Sequence, residues 1–306
     1  MNVSPLILAL FLVSVAAAQD TTDAPRSAWP HLEAEVGMSN IYESNIDHDV
    51  EATPSIGLVP ALRLRVQDRA EDARLSLDYV LARHSYTNVE RWNRTSHQVR
   101  MGVATELLDG LEGLTEAEVS LRGSSEDRDL ANQIQLVQGL EWKVSRAIRV
   151  EGYGTLRYKT VPGNPNDRAF KPNTGLNLQH RWTSGARVEV GSRYELNVEP
   201  EDRGDYRRLT LDAEVRIPTP GRESRIELGT RWRIKRYLTR LAEDADGDEI
   251  DAFRVDQRWT TDVTWQGQLI RGVGVEAGVQ VEQRVSTDAD KHYTAASLLL
   301  GVGYRF

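Results

Sequence analysis

The feature that most constrains this chain is a two-residue alternation that recurs from about residue 31 to the last residue. Over 224–237, Ile226, Leu228, Thr230, Trp232 and Ile234 fall on one side, and Arg225, Glu227, Gly229, Arg231, Arg233 and Lys235 on the other. Over 186–198, Val188, Val190, Ser192, Tyr194 and Leu196 oppose Arg187, Glu189, Gly191, Arg193 and Glu195. The ending, 292–306, puts Thr294, Ala296, Leu298, Leu300, Val302, Tyr304 and Phe306 on one face. Side chains that swap faces at every residue define a strand with two unlike sides. Fourteen such strands are legible, at 31–41, 54–66, 74–86, 95–107, 114–124, 132–144, 147–160, 173–183, 186–198, 206–217, 224–237, 252–266, 272–285 and 292–306.

The connectors fall into two sets that alternate along the chain. Short ones cover 67–73, 108–113, 145–146, 183–185, 218–223 and 267–271; longer, more acidic ones cover 42–53, 87–94, 125–131, 161–172, 199–205, 239–251 and 286–291. Short turns at one rim and longer loops at the other are the pattern of a membrane-spanning antiparallel up-and-down barrel. Alternation alone does not say which face is inside, but size does. Eight strands already enclose about one filled interior, so fourteen cannot close around a dry core. The polar face must line the lumen and the apolar face must meet lipid. The lumen then carries opposed charges. Arg63, Arg65, Arg100, Arg122, Arg149, Arg193, Arg231 and Arg233 stand with Glu118, Glu151, Glu189, Glu227 and Asp256 as candidate selectivity residues. Trp142, Trp182, Trp265 and Tyr304 fall on the lipid side near the short-turn rim, and Trp232 and Trp259 nearer the other, as a double aromatic girdle. Pro60 sits on the lipid face inside a strand, where a closed sheet has no free edge, and predicts a bulge or a broken strand.

Composition agrees with this reading. The 306 residues hold no cysteine, which fits an oxidising compartment and excludes thiolate metal sites and a lipidated N-terminal cysteine. A formal net charge of −8 argues against nucleic acid as a partner. A mean hydropathy of −0.49 excludes a bundle of membrane helices but not a barrel, whose strands hide their apolar half in alternation. The apolar run Leu6–Ala18, closed by Ala16, Ala17 and Ala18, reads as a signal peptide over 1–18 that leaves Gln19 first, although no Lys or Arg precedes it. Residues 19–30 read as a polar periplasmic lead-in, and 31–306 as the barrel.

The last strand, ending in Tyr304-Arg-Phe306, resembles the closing strand of Gram-negative outer-membrane β-barrels of the porin-like superfamily. The resemblance covers everything after the signal peptide. It implies an outer-membrane location, lipid and lipopolysaccharide as surroundings, and Tyr304 and Phe306 as the insertion signal read by the barrel-assembly machinery. A narrower resemblance lies in Tyr42-Glu-Ser44-Asn45-Ile46, which is similar to the start of exopolysaccharide-associated β-barrel porins and implies saccharide passage or export.

The function expected is a passive channel for ions or small polar solutes; a saccharide-export barrel and a structural barrel without transport are the alternatives. No cofactor is called for. The loops are too short to fold inward as a substantial plug, which argues against an energised importer. Asp244, Asp246, Asp248 and Asp251 alternate around Gly247 and resemble part of a calcium loop, without its twelfth-position Glu. A hydrolytic site would need His84 and Ser96, both on the lumen face, to pair across a symmetric hairpin; no acid is evidently placed to orient the histidine.

Overall fold

The computed structural model describes residues 31–46, 52–69, 73–89, 92–124, 131–161, 164–199, 204–221 and 223–306. The proposed signal peptide and lead-in lie outside the described residues. The fourteen strands are β1 (His31–Glu43), β2 (Ser55–Arg69), β3 (Ala73–Tyr86), β4 (Arg94–Leu108), β5 (Leu111–Ser124), β6 (Asn132–Lys143), β7 (Ile148–Val161), β8 (Asn164–Arg181), β9 (Arg187–Asn197), β10 (Tyr206–Pro218), β11 (Arg225–Glu243), β12 (Glu249–Ile270), β13 (Val273–Ser286) and β14 (Tyr293–Arg305). Each pairs antiparallel with its neighbours in sequence, and β1 pairs with β14, closing the barrel. Among the described residues no helix is long and apolar enough to cross a membrane; the strands make the crossing.

The register fixes the faces. One outward rung runs Val188, Val215, Leu228, Val263, Val279 and Leu298 across six strands. Such a rung suits lipid and nothing else. The inward rung one residue away runs Arg187, Arg216, Glu227, Thr264 and Gly278. The exposed large apolar residues, from Leu32 to Phe306, lie overwhelmingly on the outward register. A barrel exterior covered by Leu, Val, Ile and aromatics has no counterpart in a soluble protein, where such a patch stays within a few hundred Å².

Three elements differ from the sequence reading. β8 begins at Asn164, so the connector expected over 161–172 is mostly strand. Pro162, Pro165 and Pro172 hide it from propensity, and a register shift after Thr160 absorbs the misfit. β11 and β12 run on to Glu243 and back from Glu249, so the expected acidic loop is a raised hairpin. The outer rim is therefore built of strand extensions as much as of loops. Pro60 needs neither a bulge nor a break in its strand. Its pairing with β1 is continuous, while the ladder to β3 stops at Leu58↔Ser85 and resumes in the same register at Ala61↔Ala82. The residue that cannot donate a hydrogen bond falls in that gap.

Candidate functional site

The lumen wall is the candidate site, and its charges come from sequence position alone. Every odd residue of β7, β8, β9 and β11 and every even residue of β10, β12 and β13 faces inward over the paired core of these strands. The candidate selectivity residues all fall on that inward register. Several keep substantial exposure: the Arg100 side chain is 48% accessible and that of Arg149 44%. Others are covered by their neighbours: Glu227 and Asp256 are each 7% exposed.

Charges on the wall are not evenly mixed. One rung runs Tyr153, Gly175, Arg193, Thr210, Arg233, Arg258 and Arg284. On it and above it, towards the outer rim, β7–β13 turn ten cations inward: Arg157, Lys159, Lys171, Arg193, Arg208, Arg233, Lys235, Arg254, Arg258 and Arg284. Only three carboxylates accompany them, Asp167, Glu195 and Asp256. Below that rung the same strands carry six cations and eight carboxylates: Arg149, Arg181, Arg187, Arg216, Arg225 and Arg231 against Glu151, Glu189, Asp212, Glu214, Glu227, Asp262, Glu276 and Glu282. The outer half of this wall is strongly basic and the inner half mildly acidic.

Like charges even stand directly opposite one another. Arg157 pairs with Lys171, Arg208 with Lys235, Arg233 with Arg258, and Arg258 with Arg284. On the inner half, Glu106, Glu112, Glu141 and Glu151 form one continuous rung over β4–β7. Directly opposed like charges destabilise a sheet unless other charges offset them; Glu112, Glu141, Arg208, Arg258 and Arg284 have such partners, and Arg233 has none among the described residues. Tyrosines share two of the wall's acids with the arginines, one on the basic half and one just below it. Tyr206 donates its hydroxyl to Glu195 at 3.0 Å, and Tyr293 donates to Glu282. The Lys235 ammonium lies 4.0 Å from the Tyr206 ring centre and 4.1 Å from that of Tyr237.

Part of the basic wall is neutralised, since Arg208 meets Glu195, Arg258 meets Glu282, Arg284 meets Asp256, and Arg254 meets Asp256 and Asp288, whereas Arg193 and Arg233 form no ion pair among the described residues; the opposite wall is paired as well. Arg63 and Arg65 both grip Asp78, Arg100 donates to Glu118 at 2.9 Å, and Arg149 to Glu141 at 3.2 Å. Arg74 and Lys143 both bridge to Glu112. Over the outer end of this wall, the connectors after β1 and β3 fold onto each other: Ile46, Tyr86, Val89 and Trp92 form a buried apolar cluster. A second cluster, Ile41, Val59 and Ala82 with Leu299 and Ala61, lies on the inner face. These contacts are confined to a few side chains at the rim and do not amount to a plug. In the Tyr42–Ile46 segment, Ser44 is tied to Ala296 through its backbone N–H and its hydroxyl, and Ile46 enters the cluster. That segment has a packing role in the described structure.

The calcium expectation meets a tight hairpin. Asp244 N–H donates to the Asp248 carbonyl, Gly247 takes φ +86°, and the Asp244 carboxylate accepts from the N–H groups of Asp246 and Asp248. That carboxylate is spent on its own turn, and Asp251 lies in β12; among the described residues no three acidic or histidine side chains gather to hold a metal. The hydrolytic pairing is corrected too. His84 stands opposite Arg94, not Ser96, and the Ser96 hydroxyl donates to the Ala82 carbonyl. The girdle residues fall on the outward register: Trp142 is the penultimate residue of β6, Trp182 follows β8 against His180, and Tyr304 packs edge-on to Phe306. Trp265 donates to Ser224 at the inner turn, and Trp232 stacks on Trp259 six residues further up β11 than Ile226, the partner of Trp265.

No family model matches the chain, and no curated protein sequence does. Solved structures do. An in-vitro folded OmpT of Vibrio cholerae, an outer membrane protein in trimer form, aligns at TM-score 0.54 and 8% identity over 91% of this chain and 100% of that one. An anion-selective porin from Comamonas acidovorans aligns at 0.53 and 7%, over 90% and 99%. A bacterial polysaccharide outer membrane secretin aligns at 0.51 and 12%, over 89% and 98%. These likenesses establish the fold, a closed antiparallel β-barrel like those of the outer-membrane proteins compared, over about nine-tenths of the chain.

Proposed function

We propose that this barrel is a passive outer-membrane channel that favours anions among small polar solutes. The observation that carries the reading is the run of like-charged pairs on the outer half of the lumen wall, Arg157↔Lys171, Arg208↔Lys235, Arg233↔Arg258 and Arg258↔Arg284. A wall of one sign enriches counter-ions and speeds their entry. An incoming anion meets the basic outer half first, and the acidic inner half weakens its hold before exit. Conduction needs entry to be favourable and binding weak enough for release. The anion-selective porin from Comamonas acidovorans shares the fold.

Swelling of liposomes that contain the refolded protein tests the reading. Arabinose, gluconate and lysine of similar size are compared. Gluconate entering fastest and lysine slowest supports the proposal; equal rates for gluconate and lysine, or no entry from demonstrably folded protein, contradicts it. The saccharide-export alternative predicts instead that neutral sugars gain no disadvantage against gluconate.

A further inference from the structure

On the basic wall, one small region leaves its hydrogen-bond donors without partners. Thr210 of β10 is 1% exposed, and its hydroxyl finds no partner. Directly opposite it stand Arg193 on β9 and Arg233 on β11, with Arg208 next along the same face of β10 and Arg231 diagonal to it. The Nε of each of these four arginines is buried and unpartnered. Arg208 reaches Glu195 through its other nitrogen at 2.7 Å; Arg193, Arg231 and Arg233 form no ion pair among the described residues.

The acid paired across from Arg231 is held aside. Asp212 is the direct cross-strand partner of Arg231, yet its carboxylate leans the other way, over Gly191 on β9. A Cβ at Gly191 would lie 2.6 Å from that carboxylate and 2.8 Å from the side-chain oxygen of Asn177. The missing side chain gives Asp212 a place beside β9 and leaves the Arg231 guanidinium open. Buried donors without partners are costly and rare in folded proteins, and here five groups share one region.

We infer that Arg193, Arg208, Arg231, Arg233 and Thr210 form a binding site for a multivalent oxyanion, phosphate or a polycarboxylate, inside the lumen. Guanidinium groups match the oxygens of carboxylate and phosphate in pairs, and the bonds are charge-assisted. A spherical chloride satisfies fewer of them, so the site discriminates by chemistry and not by sign alone. Neighbouring strands are about 4.8 Å apart, so arginines on β9 and β11 flank β10 at a span their side chains can close over one ligand. The inference deepens the channel reading and rests on its open lumen.

The test is single-channel current in potassium chloride at neutral pH with added inorganic phosphate, and separately with malonate. Either anion should lower the chloride current saturably, and whichever acts at lower concentration identifies the ligand's chemistry. The double variant R231Q/R233Q should raise the half-blocking concentration by at least about tenfold, the scale of a lost charge-assisted contact. Its folding is checked by mobility on unboiled gels. Arg83→Gln, which lies on the outward register at the outer rim, should leave the block unchanged. An absence of block by both anions, or equal block in parent and double variant, overturns the inference while leaving the channel intact. Silence of the folded protein counts against the channel instead. Calorimetric titration of phosphate and malonate into the refolded chain then decides the site alone: saturable heat for either, lost in the double variant, supports it, and none in the parent refutes it.

Discussion

The facing of β11 gives the sharpest prediction, because residues on its two faces must respond in opposite ways. Leu228 sits on an unbroken outward rung between Val215 and Val263. An Arg there must be carried into hydrocarbon. At the bilayer midplane this costs roughly 2–4 kcal/mol, falling to about 0–1 kcal/mol at the interfaces. Leu228 lies two residues above Ile226, the partner of Trp265, and four below Trp232, so it is inside the girdle but nearer its inner edge. The long side chain can reach towards that edge, which places Leu228→Arg at about 2 kcal/mol of destabilisation. Arg231, three residues on, faces the lumen without an ion-pair partner among the described residues. Arg231→Gln should lie within about 0.5 kcal/mol of the parent, towards greater stability, because it relieves like-charge crowding with Arg233. Urea unfolding from phospholipid vesicles, followed by tryptophan fluorescence and gel mobility, reads both. A tolerated Leu228→Arg beside a strongly destabilising Arg231→Gln would invert the facing of the whole strand.

Other consequences follow from the same wall. Because basic and acidic zones lie in series along the lumen, the current should be larger at one voltage polarity than at the other in symmetric dilute salt. R233Q/R258Q should reduce that asymmetry; a linear current–voltage curve in the parent would refute the zoning. At 1 M salt the screening length shrinks to about 3 Å, so anion preference should fall steeply between 0.1 M and 1 M, and a salt-independent preference would point to size or shape instead. Trp92→Ala should open a cavity in the outer cluster, destabilise it by about 3 kcal/mol and enlarge unit conductance; an unchanged conductance would show that the cluster lies away from the narrowest point. Asp288→Asn should free the connector after β13, since Asp288 and Arg254 are both nearly fully buried and meet at 2.8 Å. Faster proteolysis within 287–292 would register it, and unchanged resistance would show that other contacts hold that connector.

The fold was legible because lipid on one side and charges on the other impose a strict alternation, and alternation survives reading residue by residue. Strand number, closure and the facing of Arg63, Glu118, Arg193 and Arg233 all follow from it. What was not legible depends on register between strands. Nothing local in Arg233 or Arg258 says that they stand opposite each other, so the uneven charge of the wall appears only once β11 and β12 are aligned. The same holds for Thr210, an ordinary strand residue until its neighbours are known to be Arg193 and Arg233. Propensity misled the reading of 161–172, where three prolines mask an extended strand, and at Asp244–Asp248 the alternation of acids gives no sign that the Asp244 carboxylate caps its own turn. The cluster of Ile46, Val89 and Trp92 was hidden because isolated apolar residues in a loop carry no period.

An open lumen and an outer wall that selects anions are both read at once by the reversal potential of the refolded protein in a tenfold potassium chloride gradient. A steady current reversing on the chloride side of zero, and moving towards zero in R233Q/R258Q, is the predicted result. A reversal on the potassium side, or one indifferent to those substitutions, would contradict it.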